Sequence, residues 1–270
     1  MKTFVVGDIH GRCAQLQILL DMLPREYPTD TLVFLGDLID RGPDVPGVVE
    51  HVLNLCREDP IKIICLRGNH EQMLLDFVDK VSMIWIETPT GGDRTFAQYT
   101  QTSLRLRADA DFDRARELLA EKIPATQIDF LRKLPLYHED DHAIYVHAGL
   151  ENGKHPSESS PQALLWTRDE DFYKSYYGKP CVFGHTPTPF LPWRGRLGRH
   201  GIYVFNSAIG IDTGYNLQSP LTCLSLPDFT LYQAFADGHT ATHQITSFIP
   251  ESLKEMQRKA QMMRDLSEQV

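Results

Sequence analysis

Along the first part of the chain one plan repeats: a short apolar run, a polar loop containing glycine, then a stretch with apolar residues three and four apart. Runs at 3–7, 31–35 and 61–66 have strand length, and the stretches at 14–23, 46–56 and 71–80 predict amphipathic helices. Asp8 precedes Asp37 by 29 positions and Asp37 precedes Asn69 by 32, close to the ~30 residues of one strand–helix–strand unit. Parallel strands joined this way place their carboxyl-terminal loops on one edge of the sheet, where ligands of open α/β folds bind. The three polar loops are therefore expected to meet.

From 81 to 134 the pattern turns mostly helical, with a break at 89–92 and helical segments at 93–107 and 111–122. Ordinary surface packing explains such an insertion; a lid over a site is the functional alternative. Strands return at 143–147, 181–184, 202–205, 221–226, 231–235 and 243–248, and alternation in the later ones predicts an antiparallel part, forming a second sheet packed on the first. The last twenty residues read as a polar helix with Leu253, Met256, Ala260 and Met263 at 3-4-3 spacing. Packing on its own domain is the simpler reading, since a two-helix dimer seam would need three or more heptads. At 270 residues the chain fits one α/β catalytic domain over 1–250, with a helical insertion at 81–134 and a C-terminal helix at 251–270.

Charge narrows the partners. With 27 basic and 36 acidic residues, the formal charge of −9 disfavours non-specific attraction to nucleic acid or anionic lipid. Apolar runs are far shorter than the ~20 residues of a membrane-spanning helix. The start of the chain lacks the pattern of a secretory signal, and five cysteines without paired spacing fit free thiols in a reducing compartment. The expectation is a cytoplasmic protein that binds neither nucleic acid nor membrane.

Candidate chemistry sits at the predicted strand exits. Asp8 and His10 lie two apart after the first run and point the same way. Asp37 leaves the second run with two oxygens able to bridge a pair of ions, and Asn69 leaves the third with a neutral carbonyl oxygen. His147 and His185 follow two later strands. Singly, each has a plain explanation as a turn residue, a helix cap or a core histidine. Turns do not demand this series of metal-ligand types at successive exits. A set of carboxylate, amide and imidazole without thiolate suits manganese, iron or zinc in place of a thiolate-held structural zinc. His51, His138, His142, His155, His200, His239 and His243 lack the placement and read as surface or core.

Gly7-Asp8-Ile9-His10-Gly11, Gly36-Asp37-Leu38-Ile39-Asp40-Arg41-Gly42 and Gly68-Asn69-His70-Glu71 resemble the three signature motifs of the calcineurin-like metallophosphoesterases. The likeness is greatest to the phosphoprotein phosphatase branch with its bacterial and bacteriophage lambda members. Val146-His147-Ala148-Gly149, Leu164-Leu165-Trp166-Thr167-Arg168 and Gly184-His185-Thr186 match later motifs in the same order, so that the resemblance runs from Gly7 to about Leu226. It implies a β-sandwich of two mixed sheets flanked by helices. It also implies a centre of two divalent ions, manganese first and iron or zinc as alternatives. Asp8, His10 and Asp37 would hold one ion and Asp37, Asn69, His147 and His185 the other, with a water or hydroxide shared between them as nucleophile. His70 would donate a proton to the leaving oxygen, oriented by Asp40, while Arg41, Arg168 and Asn69 would bind the phosphate. Planar guanidinium groups suit that role. Arg67, at a strand end, reads as an ordinary salt-bridge residue.

The implied substrate is a phosphorylated protein or a small phosphoester. Symmetrical dinucleoside tetraphosphate hydrolases share the motif order, but typically have Ala where this chain has Asp40 and Asp where it has Glu71. Both residues point to a serine/threonine protein phosphatase. Gly210-Ile211-Asp212-Thr213-Gly214 and Leu221-Thr222-Cys223-Leu224 resemble a segment of both groups, and the loop 215–220 departs from both patterns.

Overall fold

Successive side chains of the central strands are buried in different cores, and that alternation of facing builds the layers. A computed structural model describes the chain apart from residues 60–61, 88, 104–108, 152–153, 199–200, 215, 256–257, 260–261 and 263–270. Its elements run β1 (Thr3–Val6), α1 (Cys13–Met22), β2 (Thr31–Phe34), α2 (Val45–Glu58), β3 (Ile63–Cys65), α3 (Asn69–Val78), α4 (Ile84–Glu87), α5 (Gly92–Thr100), α6 (Asp109–Lys122) and α7 (Ala125–Lys133). There follow β4 (Tyr137–Glu139), β5 (Ile144–Val146), α8 (Pro161–Trp166), α9 (Glu170–Ser175), β6 (Cys181–Phe183), β7 (Arg196–Leu197), β8 (Ile202–Phe205), β9 (Ala208–Gly210), β10 (Leu221–Leu226), β11 (Thr230–Ala234) and β12 (Thr240–Gln244).

Phe4 and Val6 of β1 face a core shared with the helices up to α7, whereas Val5 faces a second core between two sheets. In β6 the same parity sends Val182 inward and Cys181 and Phe183 outward, onto Phe172 and Tyr173 of α9. Strands covered on both faces read as unbroken apolar runs, which is why they stand out in the sequence.

The six-stranded sheets have orders β12-β11-β10-β1-β2-β3 and β4-β5-β6-β9-β8-β7. Strands β1, β2 and β3 are parallel neighbours, as are β5, β6 and β9. The two-sheet architecture agrees with expectation, but the strand membership differs in one respect. The last three strands return to the first sheet, where β10 pairs antiparallel with β1. Only β4 to β9 make the second. The hairpin chemistry of β10–β12 announces antiparallel pairing, not which edge receives it. The short strands β4, β7 and β9, with polar, two-residue or Ala/Gly-containing sequences, carry no legible period.

Of the C-terminal helix, residues 251–255 are helical and Leu253 is fully buried in the inter-sheet core. Met256, Ala260 and Met263 lie outside the described residues. No helix among the described residues is long and apolar enough to cross a membrane. Because Leu253 fills space between the sheets, Leu253→Ala should lower the unfolding free energy by about 2–5 kcal/mol in urea titrations. A loss below about 1 kcal/mol would mean that this segment does not close the core.

Candidate active site

Each parallel strand delivers polar residues to the same edge. Asp8 and His10 follow β1, Asp37 follows β2, Asn69 follows β3, His147 follows β5 and His185 follows β6. All six are buried, and they gather about Asp37. Its Oδ2 lies 3.5 Å from His10 Nε2 and its Oδ1 3.4 Å from His147 Nε2. Asn69 Oδ1 stands 2.9 Å from His147 Nε2 and 2.8 Å from His185 Nδ1. Asp8 accepts the His185 backbone N–H at 3.0 Å. Among the described residues, two groups of ligand atoms are close enough to hold an ion, His10–Asp37–His70 and Asp8–Asp37–His147, and Asp37 belongs to both.

Ring tautomers fit the same use. His10 Nδ1 is 2.8 Å from the Ile39 carbonyl and His147 Nδ1 2.9 Å from the Leu35 carbonyl. A carbonyl only accepts, so each Nδ1 carries the proton and each Nε2 turns a lone pair inward. At His147 that lone pair faces the oxygens of Asn69 and Asp37, a meeting of acceptors that a cation resolves. The buried Nε2 of His185 has no hydrogen-bond partner.

Burial drives His10 and His147 down and His185 to about 2, keeping these imidazoles neutral, as ligands must be. Burial, with Asp212 and Asp37 close by, pushes the Asp8 carboxyl well up. Burial also acts to raise Asp37, yet the surrounding His147, His70, His10 and His185 outweigh it and hold that carboxyl below the usual range. Crowded buried carboxylates beside neutral imidazoles require positive charge from elsewhere, and a divalent ion would fit this donor set.

Holding such residues at sharp exits strains the backbone. His10, Asp37, Asp40, Arg41 and His185 all have positive φ, between 47° and 70°, at a cost of roughly 1–3 kcal/mol each. The Glu71 carboxylate offsets much of this in the Asp37 loop. It accepts the backbone N–H groups of Asp37 (2.9 Å), Leu38 (2.8 Å), Ile39 (3.3 Å) and Gly68 (2.8 Å). Burial and neighbouring Asp37 push the Glu71 carboxyl up to about 7, opposed by those N–H groups. Two glycines are fixed by close approach: a Cβ on Gly68 would stand 2.1 Å from Asp37 Oδ1, and one on Gly184 2.1 Å from Asp8 Oδ1.

His70 lies beside the cluster with Nδ1 2.6 Å from Asp40 Oδ2. Burial works against its proton, but Asp37 and Asp40 prevail and raise its pKa. Arg41 spans the mouth, donating to His10 Nε2 (2.9 Å) and His70 Nε2 (3.1 Å). Exposed Arg168 donates to Thr186 Oγ1 at 3.0 Å, and its charge acts on both His147 and His185. Arg67 differs from expectation: its guanidinium bonds the Gln72 side chain and the Arg132 carbonyl, two neutral acceptors. Of the seven set-aside histidines, His155 pairs with Glu139 and His239 with Asp237 on the surface, His142 is buried, and His200 lies outside the described residues.

Sequence reasoning missed Asp212 as a site residue. It follows β9, parallel to β6, and is buried near Asp8. The signal was another acidic strand exit, hidden because Ala208–Gly210 does not read as a strand. Buried Arg12 was missed too; it donates to the carbonyls of Asp8 (2.6 Å) and Ile9 (2.9 Å) and offsets the charge of Asp212.

Residues 1–195 match the family model for calcineurin-like phosphoesterases. The chain is 23% identical over 301 aligned positions to a symmetrical bis(5'-nucleosyl)-tetraphosphatase of Janthinobacterium sp. (strain Marseille), spanning 88% of this chain and 98% of that one. It is 38% identical over 122 residues to serine/threonine-protein phosphatase 1 of Salmonella typhimurium, covering 45% of this chain and 50% of that protein. Its fold superposes on the crystal structure of a candidate diadenosine tetraphosphatase with a TM-score of 0.57 at 22% identity, over 90% and 92% of the two chains.

Glu71→Gln would turn an amide NH2 toward backbone donors that now share a carboxylate. Loss of about 1–3 kcal/mol in denaturant titration is expected, with weaker metal retention in elemental analysis. Unchanged stability would show that these N–H groups find other acceptors.

Proposed function

The chain belongs to the calcineurin-like phosphoesterase family, and from that premise we propose a metal-dependent phosphomonoester hydrolase that acts on phosphorylated serine or threonine in protein. The observation that carries the substrate choice is the 2.6 Å contact between Asp40 and His70 beside the Asp37 cluster. Asp8, His10 and Asp37 would hold one divalent ion, and Asp37, Asn69, His147 and His185 a second. When bound, such a pair acidifies water and neutralises phosphoryl oxygens.

The chain's own residues then have distinct tasks. Arg41 and Arg168 bind phosphate oxygens bidentately; Arg41, which now donates to two imidazole nitrogens, exchanges them for the stronger acceptors. Asn69 orients the phosphate from the floor of the site. Asp37 and Asp40 favour a second proton on His70, so once Arg41 turns to the phosphate both ring nitrogens are protonated: Nδ1–H stays on Asp40 and the Nε2 proton passes to the leaving oxygen. A serine alkoxide leaves poorly, so a proton must arrive as the ester bond breaks, and a positioned donor is worth ~10²–10⁴ in rate. Residues 1–250 would form one catalytic unit around this edge.

A second reading, symmetrical hydrolysis of dinucleoside tetraphosphates, is favoured by the relative of that name aligned over 88% of this chain. Nucleotide phosphate leaves without a proton, so that reaction does not call on Asp40. Phosphoserine, phosphothreonine and phosphotyrosine peptides assayed against a dinucleoside tetraphosphate, each with manganese, zinc and magnesium, decide between them. Preference for phosphoserine or phosphothreonine peptides is expected; strong preference for the tetraphosphate overturns the substrate choice.

Two variants test the roles. Asp37→Asn should lose bound metal and turnover while circular dichroism shows the fold retained, with a lower melting temperature because the surroundings favour the charged form of Asp37; full metal content would end its role as a shared ligand. His70→Asn should depress phosphoserine-peptide turnover by ~10²-fold or more and p-nitrophenyl phosphate turnover far less, because p-nitrophenolate leaves unaided. Equal losses would remove the proton-donor role.

A further inference from the structure

Asp40 is fully buried, in a left-handed conformation with φ 70°, and the helical insertion supplies most of what holds it there. Thr95 of α5 closes a ring on it. The Asp40 backbone N–H donates to Thr95 Oγ1 at 3.0 Å, and the Thr95 hydroxyl donates to Asp40 Oδ1 at 2.6 Å. From α4 the indole N–H of fully buried Trp85 reaches both carboxylate oxygens at 3.1 Å. The neighbouring loop is bracketed as well. Arg94 donates to the Arg41 carbonyl at 2.7 Å, Gln98 donates to the Gly42 carbonyl at 2.9 Å, and Gln98 Oε1 accepts the Val45 N–H at 2.6 Å. Gly91 lies so close that a Cβ would stand 2.6 Å from the Arg41 nitrogen.

We propose that Trp85 of α4 and residues 91–98 serve as a positioning scaffold for the Asp40–His70 pair, with Thr95 fixing the Asp40 backbone and carboxylate together and Trp85 fixing the carboxylate from its other side. This rests on the reading of His70 as proton donor. A carboxylate that orients an imidazole sets its tautomer and ring angle, and loss of such outer partners costs ~10–100-fold in related sites. Without the Thr95 hydroxyl, Asp40 has a buried N–H short of its acceptor and an oxygen short of a donor. The carboxylate then turns, and His70 no longer presents Nε2 squarely to the leaving oxygen. A lid that opens with each turnover would have to break these bonds; a scaffold keeps them throughout.

Full-length Thr95→Val and Thr95→Ser proteins test this with manganese-supported turnover of a phosphoserine peptide and of p-nitrophenyl phosphate. The second readout is the proton NMR resonance of His70 Nδ1–H in metal-free protein, assigned by its loss in His70→Asn. Thr95→Val should lower phosphoserine-peptide kcat about tenfold and p-nitrophenyl phosphate kcat by less than about twofold, and should shift or broaden the resonance. Thr95→Ser, which keeps the hydroxyl, should restore both. Trp85→Phe keeps the aromatic packing and removes only the N–H; it should change the substrate ratio in the same direction, and it decides the question should Thr95→Val fail to fold. An unaltered substrate ratio and resonance in Thr95→Val, beside a His70→Asn variant that does alter the ratio, overturns the scaffold and leaves the proton donor standing. Equal loss on both substrates in His70→Asn overturns the proton-donor reading and this proposal with it.

Discussion

One carboxylate governs the shape of the site. Glu71 sits in the first turn of α3 and gathers N–H groups from both the Asp37 loop and Gly68. These bonds fasten the exits of β2 and β3 to each other. They also hold Asp37 in a left-handed conformation that a side chain adopts at a cost. From there Asp37 can face His10, His70 and His147 together. An Asp37 in ordinary extended backbone would direct its oxygens elsewhere, and the cluster would have no centre.

The layers supply the stiffness that this arrangement requires. Parallel strands in both sheets end at the same edge, and apolar side chains on both faces fix their register. Backbone donors and Arg12 offset part of the charge of the buried carboxylates there. The same crowding makes the cluster a fit for cations and a poor fit for itself.

Legibility in the sequence follows physical scale. Strand runs covered on both faces, and helices packed by one face, announce themselves through periodicity, so β1 to β3 with α1 to α3 are placed within a few residues. The six polar residues at strand exits were legible because their chemistry and position coincide. The path of β10 to β12 back to β1 was not, since an antiparallel hairpin reads alike in either sheet. Asp212 escaped because β9 is short and contains Ala and Gly. The grip of Thr95 and Trp85 on Asp40 spans 55 and 45 positions, and nothing in local pattern reports a contact at that distance.

Whether Asp37 serves two metal ions at once is the point on which the chemistry turns. Electron paramagnetic resonance of the manganese-loaded protein addresses it directly, because two manganese ions sharing ligands couple magnetically. A shared Asp37 predicts the broad multiline spectrum of a coupled pair, lost in Asp37→Asn. The six-line spectrum of isolated manganese at full loading of the parent protein would contradict it.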